Sequence, residues 1–342
     1  MVEEKKREMT GIEYAYMVDE LNNFISGKRL QKFQKIGQKK YRMRFEKYDI
    51  ICEVGIRIHI TKYLEETEEP DNFTKKIKKE LIGKILKNVK QLNNDRILLF
   101  NFGDKELIFE MFRNGNVILT ENGKIIAALS ENKWATREIK IGENYKTPPP
   151  IPQKIEEAIN DKPIITSLIK ISLGKNYATE ILKRCGIDEK ESGNNIKKEQ
   201  LEKIKREMEF APKPVVFLKN GKSIDYALTD MSIYNDAIKE YTQTLSEAAD
   251  RFYWENKVVE EKEELIKLKK RLEKQKEYLQ QLKEEEKKYK EIGDWFYTNY
   301  EYAEKIIKEA KEIGINNINK LIEKHTNIKS INKEKKMIEI EL

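Results

Sequence analysis

Apolar residues recur at helical spacing near the start of the chain, then switch to alternation. Ile12, Tyr16, Val18, Leu21 and Phe24 recur at intervals of two to four residues, roughly the spacing of a helix that buries one face. A helix is therefore expected from Met9 to Ile25, ending at Gly27. From Arg29 to Thr61 the period falls to two. Tyr41, Met43 and Phe45 alternate with Arg42 and Arg44, and Ile50 to Ile60 forms a more apolar stretch, so both read as strands. Pro70 opens a loop before a helix expected from Asn72 to Leu86. Strands follow from Arg96 to Phe102, Glu106 to Phe112, Val117 to Thr120 and Lys124 to Leu129. Asn114-Gly115 and Asn122-Gly123 are hairpin turn signals between them.

The run Thr147-Pro148-Pro149-Pro150 is a stiff connector. A helical region follows from about Pro152 to Met208, punctuated by Gly174 and Gly186. A hairpin then runs from Pro214 through Asn220-Gly221 to Tyr226. From Ser246 the chain turns into a long helix. Leu265, Leu268, Leu272, Leu279, Leu282 and Tyr289 fall on heptad positions, with Gln275 and Glu286 weakening the seam. Gly293 is expected to break this helix, and another should run from Trp295 to Ile313. The end, Lys336 to Leu342, alternates like an unfinished strand. The expected fold class is α+β in three parts: a β-rich domain over 1–150, a helical domain with a short hairpin over 151–245, and an incomplete coiled-coil and middle region over 246–342. An apolar seam needs a partner helix, so a return helix is expected beyond Leu342, in a longer protein. Without it, self-association through Leu265 to Leu282 is expected.

Composition changes this picture only in places. Charged residues make up 37% of the chain and the net charge is +7, which permits a polyanionic partner without requiring one. Cys52 and Cys185 stand far apart, so neither a disulfide framework nor a zinc site is expected. No apolar run approaches a membrane span, and the charged N-terminus lacks a signal-peptide pattern, so the expectation is a cytoplasmic protein. Met9-Thr10 resembles a natural start, which would make the first eight residues an extension. Only His59 and His325 are available as histidines. No nucleophile elbow, phosphate-binding loop, dinucleotide fingerprint or metalloprotease motif occurs. No enzymatic activity, catalytic residue, cofactor or metal is therefore expected.

Two stretches could meet nucleic acid. One runs from Lys28 to Lys47, where Arg29, Lys32, Lys35, Lys40, Arg42 and Arg44 interleave with Phe33, Tyr41 and Phe45. Cations neutralise phosphates and aromatics stack on unpaired bases, but a plain amphipathic strand pair would look the same. The other is Asn93-Asn94-Asp95-Arg96, expected at a helix-to-strand turn. Arg offers a planar fork to a phosphate or base edge, and Asp can accept from a base or orient the Arg. Taken alone, it also fits an ordinary turn with a local ion pair.

Several short motifs, in order, resemble the NFACT family of ribosome-associated quality-control factors, the RqcH and NEMF type, some of whose bacterial members are called fibronectin-binding proteins. They are Met9-Thr10-Gly11-Ile12 with Glu20-Leu21 and Gly27-Lys28-Arg29; Gly55-Ile56-Arg57-Ile58-His59-Ile60-Thr61; Asn94-Asp95-Arg96-Ile97; and Gly115-Asn116-Val117. Further on come Gly142 with Tyr145 and Pro148, Leu173-Gly174 with Tyr177-Ala178, and Ser246-Glu247-Ala248 with Asp250 and Phe252-Tyr253. The resemblance implies a glycosylase-like N-terminal domain, a helix-hairpin-helix region and a coiled-coil arm. It implies an adaptor that binds an obstructed large ribosomal subunit carrying peptidyl-tRNA, recruits tRNA, notably alanyl-tRNA, and supports tailing of the stalled chain. The bond-forming chemistry would be the ribosome's. It also implies tRNA contacts at Asp95 and Arg96, at Glu13 where the family has Asp, and at Arg29 and Arg57. The alternative is a general nucleic-acid-binding protein related in fold to DNA glycosylases but without lyase chemistry, since the N-terminal proline and four-cysteine finger of those enzymes are missing.

Overall fold

The computed structural model describes residues 7–112, 115–314, 317–332 and 334–341, without the side chains of 259–263. The chain divides into two compact units, Met1–Val259 and Glu260–Leu342.

In the first unit, helix α1 (Gly11–Ile25) is followed by strands β1 (Leu30–Gly37), β2 (Lys40–Phe45), β3 (Tyr48–Glu53) and β4 (Arg57–Thr61), which pair in sequence order as an antiparallel sheet. Helix α2 (Asn72–Leu81) leads to β5 (Asn88–Gln91), β6 (Ile97–Asn101), β7 (Lys105–Glu110), β8 (Asn116–Glu121) and β9 (Lys124–Ala128), a second antiparallel meander. α1 lies against β4 and β5, and α2 against β1 and β9, so each helix covers an edge of both sheets. Exposed edges invite pairing with other chains, and covering them prevents it. The inward faces supply Phe33, Met43, Phe45, Phe100 and Phe109 to one core.

The alternation read in β2 is real: Tyr41, Met43 and Phe45 are buried. Asn122-Gly123 makes the tight turn between β8 and β9, whereas Asn114 lies outside the described residues. Helix α2 ends five residues before the expected Leu86. There, the Gly83 amide donates to the Leu30 carbonyl and the Leu86 amide to the Lys28 carbonyl, so the segment is drawn out into an extended pairing.

A small hairpin, β10 (Asn132–Lys133) and β11 (Glu138–Ile139), covers the outer face of the second sheet. Tyr145 and Arg137 both reach the buried carboxylate of Glu110 there. Helices α3 (Ile155–Ala158), α4 (Ile164–Lys170), α5 (Lys175–Cys185) and α6 (Lys198–Met208) follow. Then come β12 (Val215–Lys219), β13 (Lys222–Ala227) and β14 (Ile238–Tyr241), in the order β13-β12-β14. The hairpin turn at Asn220-Gly221 is as expected, and β14 adds a strand the pattern did not show. No break in packing falls at residue 150 or 245: Phe109, Leu168, Phe217 and Ala248 belong to the same core.

Helix α7 (Leu245–Thr298) starts inside that core. Leu245, Ala248, Ala249, Phe252 and Tyr253 are buried. The Leu245 and Ser246 amides donate to the carboxylate of Glu20, on α1, at 3.0 and 3.2 Å. Four unpaired amides open every helix, and here a carboxylate distant in sequence takes two of them. Ser246 Oγ accepts from the Ile60 amide, and Asp250 accepts from Thr61 Oγ1 and the Lys62 amide. The edge of β4 is thus closed by the first turns of α7.

In the second unit α7 passes through Gly293 without a break. A glycine costs a helix interior about 1 kcal/mol, and the helix stops at Thr298. The heptad leucines from 265 to 282 are 41–55% exposed. Helix α8 (Tyr300–Ile313), α9 (Lys320–Lys324) and the hairpin of β15 (Ile328–Asn332) with β16 (Met337–Ile340) complete this unit. The terminal alternation is a paired strand, with Ile331 opposite Ile338. Among the described residues no helix is long and apolar enough to cross a membrane.

Candidate nucleic-acid interface

Asp95 and Arg96 lie in the turn between β5 and β6, a strand-to-strand turn rather than the expected helix-to-strand one. Asn93 and Asn94 take left-handed backbone (φ 56° and 51°), a conformation Asn tolerates better than most residues. The turn is fastened from outside: Gln153 donates to the Asn93 carbonyl at 2.8 Å and accepts from Asn94 Nδ2 at 2.7 Å. Asp95 Oδ1 accepts from the backbone amide of Arg96 at 2.7 Å. The guanidinium of Arg96 pairs instead with Glu8, Nη1 to Oε2 at 2.9 Å. The local ion pair expected within the turn is replaced by one to the N-terminal segment.

Both residues line a cleft of about 470 Å3, with Glu8, Thr10 and Gly11 on one side and Lys170, Ser172, Gly174 and Lys175 on another. Two helix starts converge here. α1 begins with a capping box: Glu13 N donates to Thr10 Oγ1, and the Glu13 carboxylate accepts from the Thr10 amide. α5 begins at Gly174 with no side-chain cap, and Gly174 and Lys175 line the cleft, so the positive dipole end of the helix lies beside it. The two starts touch closely. A Cβ on Gly174 (φ +79°) would stand 2.3 Å from Thr10 Cγ2, and one on Gly11 would stand 2.2 Å from Ser172 Oγ. Only glycine allows this approach. With Arg96, Lys170 and Lys175 against Glu8 and Asp95, cations prevail, and the cleft suits a multivalent anion that also offers hydrogen bonds.

The other expected contacts lie elsewhere. Glu13 is wholly buried. Its carboxylate accepts from the Thr10 amide at 2.8 Å, from Arg7 Nη2 at 2.6 Å and from Tyr177 OH at 3.0 Å. It is therefore buried and bonded on several sides, and it is not among the residues that line the cleft. Arg57 is also buried: it bonds Glu53 Oε2 at 3.1 Å and lies 4.2 Å over the Tyr253 ring. It joins β4 to α7. Arg29 is exposed, and it donates to the Gly83 carbonyl beyond the far end of α1. The 15 residues of α1, roughly 22 Å of helix at 1.5 Å per residue, separate that end from Thr10 and Gly11 at the cleft.

The aromatic residues of the basic stretch are not stacking platforms. Phe33, Tyr41 and Phe45 are at most 1% exposed, and Phe33 packs on Tyr41 in the core. Several of its cations are already paired, as Lys35 with Glu68 and Arg44 with Asp49. The amphipathic strand pair is what the structure contains. His59 is a buried core residue. Burial, then the nearby Arg57 charge, push its pKa down to about 3, so its ring is neutral. Among the described residues, no group of His, Cys, Asp and Glu is placed to hold a metal ion.

Arg7 and Glu8, ahead of Met9, are tied into the first unit. Arg7 is fixed by Glu13, by Asp225, by the Tyr226 carbonyl and by the face of the Tyr226 ring at 3.7 Å. Burial opposes its charge, but Glu13, Tyr226 and Asp225 hold its pKa above the ordinary arginine value. Lys170 and Lys175 were missed. Lys175 directly follows the glycine of Leu173-Gly174, and Lys170 carries no such signal.

Comparison with known proteins agrees with the motif reading. A curated archaeal Rqc2 homolog, aRqcH of Methanocaldococcus jannaschii, is 31% identical over 90% of this chain and 53% of its own length. Human ribosome quality control complex subunit NEMF is 28% identical over 58% of this chain and 20% of its own length. The chain thus spans about half the length of the archaeal relative and less of the human one. In fold, it resembles the crystal structure of the fibrinogen binding protein from Staphylococcus aureus, with a TM-score of 0.57 and 22% identity over 71% of this chain and 98% of that one. Residues 10–340 match the family described as NFACT N-terminal and middle domains, and the chain belongs to that family.

Proposed function

We propose that this chain serves as a ribosome quality-control adaptor that binds tRNA and an obstructed large ribosomal subunit. In this reading the recruited tRNA is alanyl-tRNA, the stalled nascent chain gains a C-terminal alanine tail, and the work is done on cytosolic ribosomes. The chain supplies binding and placement, and peptide-bond formation belongs to the ribosome. The observation that carries the reading is the cleft itself: Asp95 and Arg96 line it together with the uncapped start of α5, Lys170 and Lys175. Phosphates find charge there, and a base edge finds the fork of Arg96 and the acceptor of Asp95. The exposed heptad leucines of α7 would bury against a second helix, from another copy or from the rest of a longer chain.

The test is tRNA binding by the 342-residue chain, with Asp95→Ala and Arg96→Ala variants, across a salt series. Affinity should fall as salt rises. Arg96→Ala should cost about 1–3 kcal/mol without lowering thermal stability. Unchanged affinity in both variants would remove the cleft from the reading.

A further inference from the structure

Glu8 takes up the very guanidinium that the cleft offers. Its Oε2 stands 2.9 Å from Arg96 Nη1, with the two side chains 23% and 28% exposed, and both line the cleft. The position is held on each side. Arg7 is locked to Glu13, Asp225 and Tyr226, and the Met9 amide donates to the Ile56 carbonyl at 2.8 Å. A carboxylate fixed in this way meets Arg96 at high effective concentration.

We infer that Glu8 is an internal competitor for Arg96 that raises the threshold for every anion entering the cleft by the same modest factor, so that a weakly bound single phosphate is held off while a multivalent RNA, with contacts to spare, still binds. This rests on the reading of the cleft as an RNA contact. Carboxylate and phosphate compete for the same fork of donors. A lone phosphate would exchange one contact for another and would meet the Glu8 charge nearby. An RNA backbone crossing the cleft also meets Lys170, Lys175 and the start of α5, so it gains contacts beyond the one it breaks. An ion pair of this exposure sets a threshold of at most about fivefold. That is enough to hold off a phosphate or mononucleotide that binds weakly, and it is small beside the gain from several contacts.

The test uses the 342-residue chain as wild type, Glu8→Gln, Arg96→Ala and the double variant. Phenylglyoxal labelling of Arg96, read by mass spectrometry with and without inorganic phosphate, reports on the guanidinium directly. Glu8→Gln should label up to about fivefold faster, and phosphate should protect Arg96 at concentrations that leave the wild type unprotected. tRNA should bind Glu8→Gln about three- to fivefold tighter, and this gain should vanish in the Arg96→Ala background. Equal labelling and equal phosphate protection in wild type and Glu8→Gln would overturn the inference. So would weaker tRNA binding by Glu8→Gln, which would make Glu8 an orienting partner. If the wild type binds no tRNA, the RNA reading of the cleft fails, while labelling and phosphate protection still decide whether Glu8 competes for Arg96.

Discussion

Replacing Glu13 separates a ligand contact from a structural fastening. The wild-type carboxylate accepts from Thr10 N, from Arg7 and from Tyr177 OH, with no exposure. Glu13→Ala leaves Arg7 with Asp225 as its remaining carboxylate and leaves an amide and a hydroxyl without this acceptor. Breaking a buried charge pair costs about 3–5 kcal/mol. Because Asp225 still compensates Arg7, the lower end, about 3 kcal/mol, is expected. At about 2–4 °C per kcal/mol for a unit of this size, Tm should drop by roughly 6–12 °C. Glu13→Asp keeps the charge but falls short by one methylene, so it should cost about 1 kcal/mol. Calorimetry on the three proteins measures the cost, and tRNA binding well below the lowest transition measures any effect on the ligand. A large stability loss is expected, with affinity falling by no more than about twofold, an energy difference below about 0.5 kcal/mol. An unchanged Tm with affinity lost would refute it and return Glu13 to the role of a direct contact.

Gly174→Ala should destabilise the first unit by about 1–3 kcal/mol from backbone strain alone, and by more from the overlap with Thr10 Cγ2. Adding Thr10→Ser should recover the overlap but not the strain, as read by urea denaturation. His59 is held neutral in the folded state, with its pKa down to about 3 against about 6.5 when unfolded. Its contribution to stability is therefore complete above about pH 6.5 and is lost as pH falls toward 3, by up to about 1.4 kcal/mol per unit. Urea midpoints at pH 7 and pH 5 should differ accordingly, and His59→Gln should flatten that part of the difference. Glu20→Ala removes the acceptor for the Leu245 and Ser246 amides. It should cost about 0.5–2 kcal/mol and speed hydrogen exchange at those two amides, with tRNA affinity unchanged.

The local pattern foretold most of the elements because each buries one face. α1, β2, the hairpin at Asn122-Gly123 and the one at Asn220-Gly221 all follow from spacing and turn chemistry. What spacing misses is decided by partners far away in sequence. Residues 83–86 read as helix until they pair with 28–30. β5 and β14 are too short to show a period. The site was legible only in part for the same reason. Asp95-Arg96 looks like a turn until Glu8 and the start of α5 come together around it. Arg57 and Glu13 belong to motifs that resemble the family, and the structure uses both to join elements: Arg57 stacks on Tyr253 of α7, and Glu13 binds Arg7 and Tyr177. Ser246, Asp250 and Glu20 are likewise joinery, closing the edge of β4 and the start of α7. A motif match alone does not tell a fastening from a contact. Burial and the saturation of hydrogen bonds do.

tRNA is expected to meet this chain at the cleft around Asp95 and Arg96 and not on the basic strands. Photo-crosslinking of the 342-residue chain to tRNA, with the linked peptides mapped by mass spectrometry, tests it most directly. Cross-links should fall in 8–11, at 95–96 and within 169–175, the segments that line the cleft, and should fade in Arg96→Ala. Cross-links confined to Lys32, Lys35, Lys40 and Arg42 on β1 and β2, with the cleft segments unlabelled, would contradict the account.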